Sequence, residues 1–161
     1  MIKKFLIASF LITIFSINSH AAGTDGGSTK VKSEYDQAVS LIKRAKKLEK
    51  KGKTEKANKR YEKAQKLLLA SNKKKPLQAN TLNYLGFTTR KLGDYENGEK
   101  YYLLGLEIDP NHVGINEYLG ELYVATNRID LAKERLNVLE SCNCEEYDEL
   151  KEIIAGTKKS K

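Results

Sequence analysis

Residues 82–110 read LNYLGFTTRKLGDYENGEKYYLLGLEIDP, and this stretch decides the fold. One part of it, Tyr84-Leu85-Gly86, returns 34 residues later as Tyr118-Leu119-Gly120. Apolar and small residues recur three and four positions apart on both sides of a Gly-Asp turn, which is the spacing of one buried helix face. The pattern therefore predicts a helix–turn–helix unit that repeats along the chain.

The unit carries its own stop and start signals. Gly93 suits the left-handed residue that follows a helix end, and Asp94 can cap the next helix. Pro110 closes the unit because proline disfavours helix in the residue before it. In the following unit Asn127 stands at the turn, where asparagine also adopts the left-handed conformation.

A 34-residue period of paired helices resembles the tetratricopeptide repeat (TPR) family. Leu85 and Gly86 stand where that family places its Leu-Gly pair. Thr89 departs from the family's aromatic residue, and Gly98 and Gly105 depart from its alanines. The resemblance implies an all-α fold of antiparallel helix–turn–helix repeats, stacked as a short right-handed TPR solenoid with a C-terminal capping helix.

The chain divides into five predicted segments. They are a signal peptide (1–21), a disordered leader (22–32), a degenerate basic TPR-like helical pair (33–75), two TPR repeats (76–144), and a capping helix with a tail (145–161). In the degenerate pair Ala57 lies 41 residues before Gly98 rather than 34, so we expect a longer connection around residues 73–76. A last helix over 146–155 is expected to cover the end of the stack, as solenoids require.

The N-terminus has the pattern of a secretory signal peptide. Lys3 and Lys4 precede a mostly apolar run over residues 5–17, and Ala21 ends a small-residue cleavage motif. The apolar run is shorter than a bilayer span requires. We expect cleavage between Ala21 and Ala22, and a short signal of this kind points to the bacterial periplasm.

Charge is distributed unevenly along the chain. Residues 30–75 contain 17 Lys or Arg and 5 Asp or Glu, whereas residues 76–161 contain 10 basic and 15 acidic residues. A basic end of this kind can bind an anionic membrane surface or another polyanion, or it can simply be a solvated surface. Nucleic acid is not an expected partner, because the basic region lacks the aromatic residues of a stacking platform.

Few residues suggest catalysis. His112 is the one histidine outside the signal peptide, and it follows Pro110 in a turn. No glycine-rich phosphate loop is present, and the acidic run at 145–149 lacks the alternating ligands and central glycine of a calcium loop. We therefore predict no catalytic residue, no metal site, no cofactor and no enzymatic activity.

Cys142 and Cys144 are the only cysteines, and they lie two residues apart. In an oxidising compartment they favour a local disulfide that pins the turn before the capping helix. Two alternatives stay open, namely bridges between molecules and a thiol pair that handles redox chemistry or a soft metal such as Cu(I). Two thiolates alone are an incomplete metal site.

The family resemblance implies that the first helices of successive repeats line a groove that binds a protein or peptide partner. By register, the groove residues are Asn80, Asn83, Phe87, Arg90 and Lys91, with Glu117, Glu121 and Val124 from the next repeat and Ile42, Lys46 and Glu49 from the degenerate pair. Asn83 and Arg90 are expected to hold a peptide backbone and a carboxylate, and Phe87 to supply an apolar contact. The sequence thus predicts a periplasmic protein-interaction scaffold, with an electrostatic membrane binder and a thiol protein as alternatives.

Overall fold

The computed structural model of the protein describes residues 32–160. Within that range it contains seven helices and no strand. The helices are α1 (Glu34–Glu49), α2 (Thr54–Lys74), α3 (Ala79–Lys91), α4 (Tyr95–Ile108), α5 (Val113–Ala125), α6 (Ile129–Leu139) and α7 (Glu145–Ile154). The predicted signal peptide, and the predicted leader apart from Lys32, lie outside the described residues.

The helices form three hairpins followed by a single helix. α1 packs along α2, α3 along α4 and α5 along α6, while α7 packs against α5 and α6. Contacts also join α1 to α3 and α3 to α5, so the first helices of the three hairpins lie side by side. The prediction of an all-α repeat solenoid is confirmed.

The predicted turn signals act at the places where they stand in the sequence. Gly93 has a φ of +96°, and Asn127 has a φ of +59°. The Asp94 carboxylate accepts a hydrogen bond of 3.1 Å from the backbone N–H of Asn97. Ser33 caps α1 in the same way, because its hydroxyl accepts from the backbone N–H of Asp36. Local turn chemistry therefore sets where these helices begin and end.

The expectation of a longer connection after the first hairpin is wrong. α2 is a helix of 21 residues that runs through Lys74, whereas α4 has 14 residues. No residue before Pro76 breaks the helix, so the extra residues lengthen α2 by about two turns. Leu77 then reverses the chain with a φ of +57°.

The two Leu-Gly pairs allow a neighbouring side chain to approach the helix backbone. A Cβ atom added at Gly86 would lie 2.5 Å from the ring of Tyr102 on α4. A Cβ atom added at Gly120 would lie 2.5 Å from Leu150 on α7. Tyr102 and Leu150 are both fully buried. The absence of a side chain at Gly120 therefore lets the capping helix α7 pack closely against α5.

Candidate functional site

A cavity of about 720 Å³, which we call the central cavity, is lined by residues of α1, α3, α7 and the C-terminal segment. Most of these residues are charged. They are Lys46, Lys47, Glu49, Lys50, Phe87, Lys91, Glu149, Lys158, Lys159 and Ser160. Six lysines and two glutamates therefore surround one aromatic ring.

Phe87 and Lys46 line the central cavity, and Tyr118 contacts both of them. The ring centroids of Phe87 and Tyr118 lie 5.0 Å apart. The Lys46 ammonium lies 4.5 Å from the Phe87 centroid and donates a 2.9 Å hydrogen bond to the Tyr118 hydroxyl. Burial raises the pKa of Tyr118, and neighbouring Glu117 adds to the rise. The hydroxyl therefore stays protonated, and its oxygen accepts from Lys46.

A buried ion pair lies beside these rings. An Arg90 guanidinium nitrogen lies 3.1 Å from a Glu121 carboxylate oxygen, and the two side chains are 3% and 0% exposed. Burial alone lowers the pKa of Arg90, but the charges of Tyr102 and Glu121 reverse the direction and raise it. Arg90 is therefore cationic, and its charge is held next to the Phe87 ring at 5.7 Å.

The C-terminal segment reaches the same ion pair. Ser160 donates a 2.8 Å hydrogen bond to Glu121 and accepts one of 3.1 Å from Arg90. The Lys158 ammonium lies 2.7 Å from a Glu149 carboxylate oxygen. Across the cavity the Lys91 ammonium makes an equivalent 2.7 Å ion pair with Glu49. The glutamates of the cavity rim are thus engaged by lysines of this chain.

Four of the seven residues predicted to bind a partner meet at the central cavity or at the adjoining ion pair. Phe87 and Lys91 line the cavity, and Arg90 and Glu121 form the ion pair. The structure buries Phe87, Arg90 and Glu121 almost completely, while Lys91 is half-buried. Phe87 is therefore a fully buried core residue at the edge of the cavity.

The other three predicted residues lie elsewhere. The amide oxygen of the exposed Asn80 accepts a 2.9 Å hydrogen bond from Nε2 of the His112 ring. Asn83 is 6% exposed and packs against the start of α5, where a Cβ atom at Gly114 would lie 2.8 Å from its amide nitrogen. Its amide oxygen has no hydrogen-bond partner within residues 32–160. Glu117 is 2% exposed.

The family assignment rests on the second hairpin. A sequence profile described as tetratricopeptide repeat matches residues 79–112, which span α3, α4 and the turn before α5. The second hairpin therefore matches the tetratricopeptide repeat (TPR) family. A comparison with curated proteins finds no match.

Solved structures share the fold of this protein at low sequence identity. The Yersinia enterocolitica type III secretion chaperone SycD, in complex with a peptide of the translocator YopD, is 19% identical with a TM-score of 0.53. That match covers 80% of this chain and 92% of SycD. PcrH, in complex with the chaperone binding region of PopD, is 18% identical with a TM-score of 0.53. It covers 80% of this chain and 96% of PcrH.

Sequence reasoning missed two features of this protein. His112 caps α5, because its Nδ1 accepts a 3.1 Å hydrogen bond from the backbone N–H of Ile115. A polar residue directly before an apolar helical run is a usual capping signal, so the position was detectable. The contacts of Ser160 with α3 and α5 were not detectable, since residues 156–161 show no apolar periodicity.

Cys142 and Cys144 are joined by a disulfide, with their Cα atoms 5.2 Å apart. Asn143 between them has a φ of +47°, a conformation that asparagine tolerates. The bridge lies in the turn between α6 and α7, where the sequence favoured it.

Within residues 32–160 no group of three or more His, Cys, Asp or Glu side chains is arranged to hold a metal ion. No helix in the same range is long and apolar enough to span a bilayer.

Proposed function

We propose that this protein is a non-enzymatic TPR scaffold that binds a peptide or protein segment of a partner in the central cavity. The observation that carries the proposal is the combination of a cavity of about 720 Å³ with one aromatic ring at its edge and a lysine-rich rim. Cavities that take up ligands are usually concave, partly apolar and furnished with a few placed polar groups. An extended segment with an apolar side chain and carboxylates fits these surroundings.

The charges of the rim support this choice of partner. Lys91 and Lys158 are paired with glutamates. Lys47 and Lys50 are exposed and make no ion pair within the described residues. Two ammonium groups without a carboxylate partner favour a segment that brings its own carboxylates. At this exposed rim each added pair contributes up to about 1 kcal/mol.

The solved complexes of SycD with a YopD peptide and of PcrH with a PopD region show that structures of this fold bind partner segments.

Site-specific photo-crosslinking tests the proposal. A benzophenone amino acid is placed at Lys47 or Lys50 on the cavity rim, and at Lys73 on α2 as the control, in cells that produce the protein. We expect one partner to be captured from the two rim positions and not from Lys73. Adducts that are absent at the rim, or equal at all three positions, would contradict a partner in the central cavity.

The captured segment is then synthesised and its affinity is measured. The variant Lys47→Ser/Lys50→Ser removes two rim charges, and Lys73→Ser/Lys75→Ser removes two charges from α2 and the turn after it. We expect the rim variant to weaken binding about tenfold and the matched control to leave it unchanged within about twofold. Equal effects of the two variants would show that net charge alone holds the segment.

We also propose that the scaffold acts in the bacterial periplasm. The proposal rests on the signal-like pattern of residues 1–21. Fractionation of cells followed by N-terminal sequencing tests it, with Ala22 as the expected first residue in the periplasmic fraction. An N-terminus at Met1 in the cytoplasmic fraction would contradict the location without touching the cavity proposal.

A further inference from the structure

A second basic surface lies outside the central cavity, in the groove between α1 and α2. This groove has a volume of about 290 Å³, and we call it the basic groove. It is lined by Leu41, Arg44, Lys56, Lys59, Arg60 and Lys63. Five of the six side chains are cationic, and none of the lining residues is acidic. No lining residue is shared with the central cavity.

The acidic residues of the first hairpin are mostly engaged elsewhere. Glu34 pairs with Lys74, Glu49 with Lys91, and Asp36 accepts from the Ser33 hydroxyl at the start of α1. Glu55 makes a 2.8 Å ion pair with Lys59. Glu62, the remaining acidic residue of the hairpin, does not line the groove.

Four cations of the groove therefore have no carboxylate partner within the described residues. Arg44, Lys56 and Lys63 are exposed, and the Arg60 guanidinium donates only a 3.3 Å hydrogen bond to the Lys56 carbonyl. Like charges that share one groove repel each other, and an anion bound among them removes that repulsion. The arrangement favours a ligand that presents several negative charges at once.

The surroundings of these charges select among polyanions. Leu41 gives the groove an apolar side, and no aromatic side chain lines it. Nucleic-acid bases would find no stacking platform there, whereas a lipid headgroup needs only phosphate contacts and an apolar neighbour. We propose that the basic groove binds the phosphate headgroups of an anionic phospholipid surface. The membrane contact leaves the central cavity, which has its own lining residues, available to a protein partner.

Vesicle co-sedimentation tests this membrane site. The protein, in the form that accumulates in its cells, is mixed with vesicles of phosphatidylcholine containing about 30% phosphatidylglycerol, and with vesicles of phosphatidylcholine alone. We expect binding that is much stronger to the anionic vesicles, because each Lys or Arg near such a surface contributes about 1 kcal/mol. Raising the salt concentration to about 0.5 M should remove most of it.

A charge-matched pair of variants locates the contact. Arg44→Ser/Lys63→Ser removes two cations from the groove, and Lys73→Ser/Lys75→Ser removes two exposed lysines beyond it. Lys73 lies ten positions after Lys63 along α2, or about 15 Å, which exceeds a Debye length of about 8 Å. We expect the groove variant to bind about 25-fold more weakly and the control to stay within about threefold, at unchanged thermal stability.

Three outcomes would overturn the proposal. They are equal losses in the two variants, equal binding to neutral and anionic vesicles, and binding of soluble polyphosphate or duplex DNA without binding of vesicles. None of these outcomes bears on the photo-crosslinking at the central cavity. The two proposals therefore stand or fall separately.

Discussion

The guanidinium of Arg90 and the carboxylate of Glu121 form a 3.1 Å ion pair that is almost wholly buried. The pair connects α3 to α5, the first helices of two successive hairpins. Ser160 completes the arrangement by hydrogen bonding to both partners. An arginine predicted to contact a ligand is thus also part of the contact between repeats.

Removal of Arg90 alone should strongly destabilise the fold. The variant Arg90→Ala leaves the Glu121 carboxylate buried without its arginine, and breaking a buried pair in this way costs about 3–5 kcal/mol. The double variant Arg90→Met/Glu121→Leu removes both charges and should recover most of that loss. Urea unfolding of the three proteins measures the difference. A double variant no more stable than Arg90→Ala would show that the pair's charges are not the cause.

The contact between Gly86 and Tyr102 predicts a second stability effect. Gly86→Ala places a methyl group 2.5 Å from the Tyr102 ring, and overpacking of this kind costs about 1–3 kcal/mol. Tyr102→Leu makes room, so the free energies of the two substitutions should not add in the double variant. A double-mutant cycle in urea measures the coupling. If the two changes in unfolding free energy simply add, residues 86 and 102 are not in contact.

Local signals made much of the fold predictable. Gly93, Asp94 and Asn127 act through their immediate neighbours, and those interactions are visible in a short stretch of sequence. The length of α2 was misjudged because the 34-residue period suggested a break where no residue requires one. Helix propensity and the position of the helix-breaking Pro76, rather than the repeat period, decide where α2 ends.

The candidate site was less predictable for a physical reason. Register predicted Phe87 and Arg90 as groove residues, whereas the structure buries both side chains almost completely. Their burial depends on groups far away in sequence, since Glu121 lies 31 residues and Ser160 lies 70 residues after Arg90. The basic half was recognised by composition, whereas the convergence of Arg44 and Lys63 on one groove needs the geometry of the α1–α2 hairpin.

The cap of α5 predicts a dependence on pH. His112 accepts a backbone hydrogen bond at Nδ1, and this requires a neutral ring. Burial lowers the pKa of His112, and nearby Asp109 opposes the shift only in part. At His112 the folded protein therefore binds fewer protons than the unfolded chain does. Its contribution to stability is fully present above the unfolded pKa of about 6.5 and is lost as the pH falls through the lower folded value.

His112→Asn supplies a cap that does not titrate in this range. We expect the wild-type protein to lose stability relative to this variant between about pH 6.5 and pH 5. His112→Ala should cost about 1 kcal/mol at neutral pH, because it removes the cap altogether. Urea unfolding at several pH values measures all three proteins. Parallel pH profiles of the wild type and His112→Asn would rule out the histidine as the titrating group.

Removal of the disulfide between Cys142 and Cys144 tests whether these cysteines have a structural role or take part in thiol chemistry. The variant Cys142→Ser/Cys144→Ser opens a very small loop, so the chain-entropy estimate predicts a loss of only about 1–2 kcal/mol. We expect it to bind the captured partner segment with unchanged affinity. A loss of partner binding at a temperature where the variant is folded would instead favour the redox or metal alternative.

The C-terminal segment should compete with a partner in the central cavity. Lys158, Lys159 and Ser160 line the cavity, and Ser160 occupies hydrogen-bonding positions on Arg90 and Glu121. Ser160 is exposed, so its removal should change the free energy of unfolding by less than about 1 kcal/mol. Deletion of residues 158–161 should therefore strengthen binding of the captured segment several-fold, as measured by titration of the labelled peptide. The variant Lys151→Ser, on the exposed side of α7, is the control and should leave affinity unchanged. Weaker binding after the deletion would mean that the C-terminal segment is a wall of the binding site rather than a competitor for it.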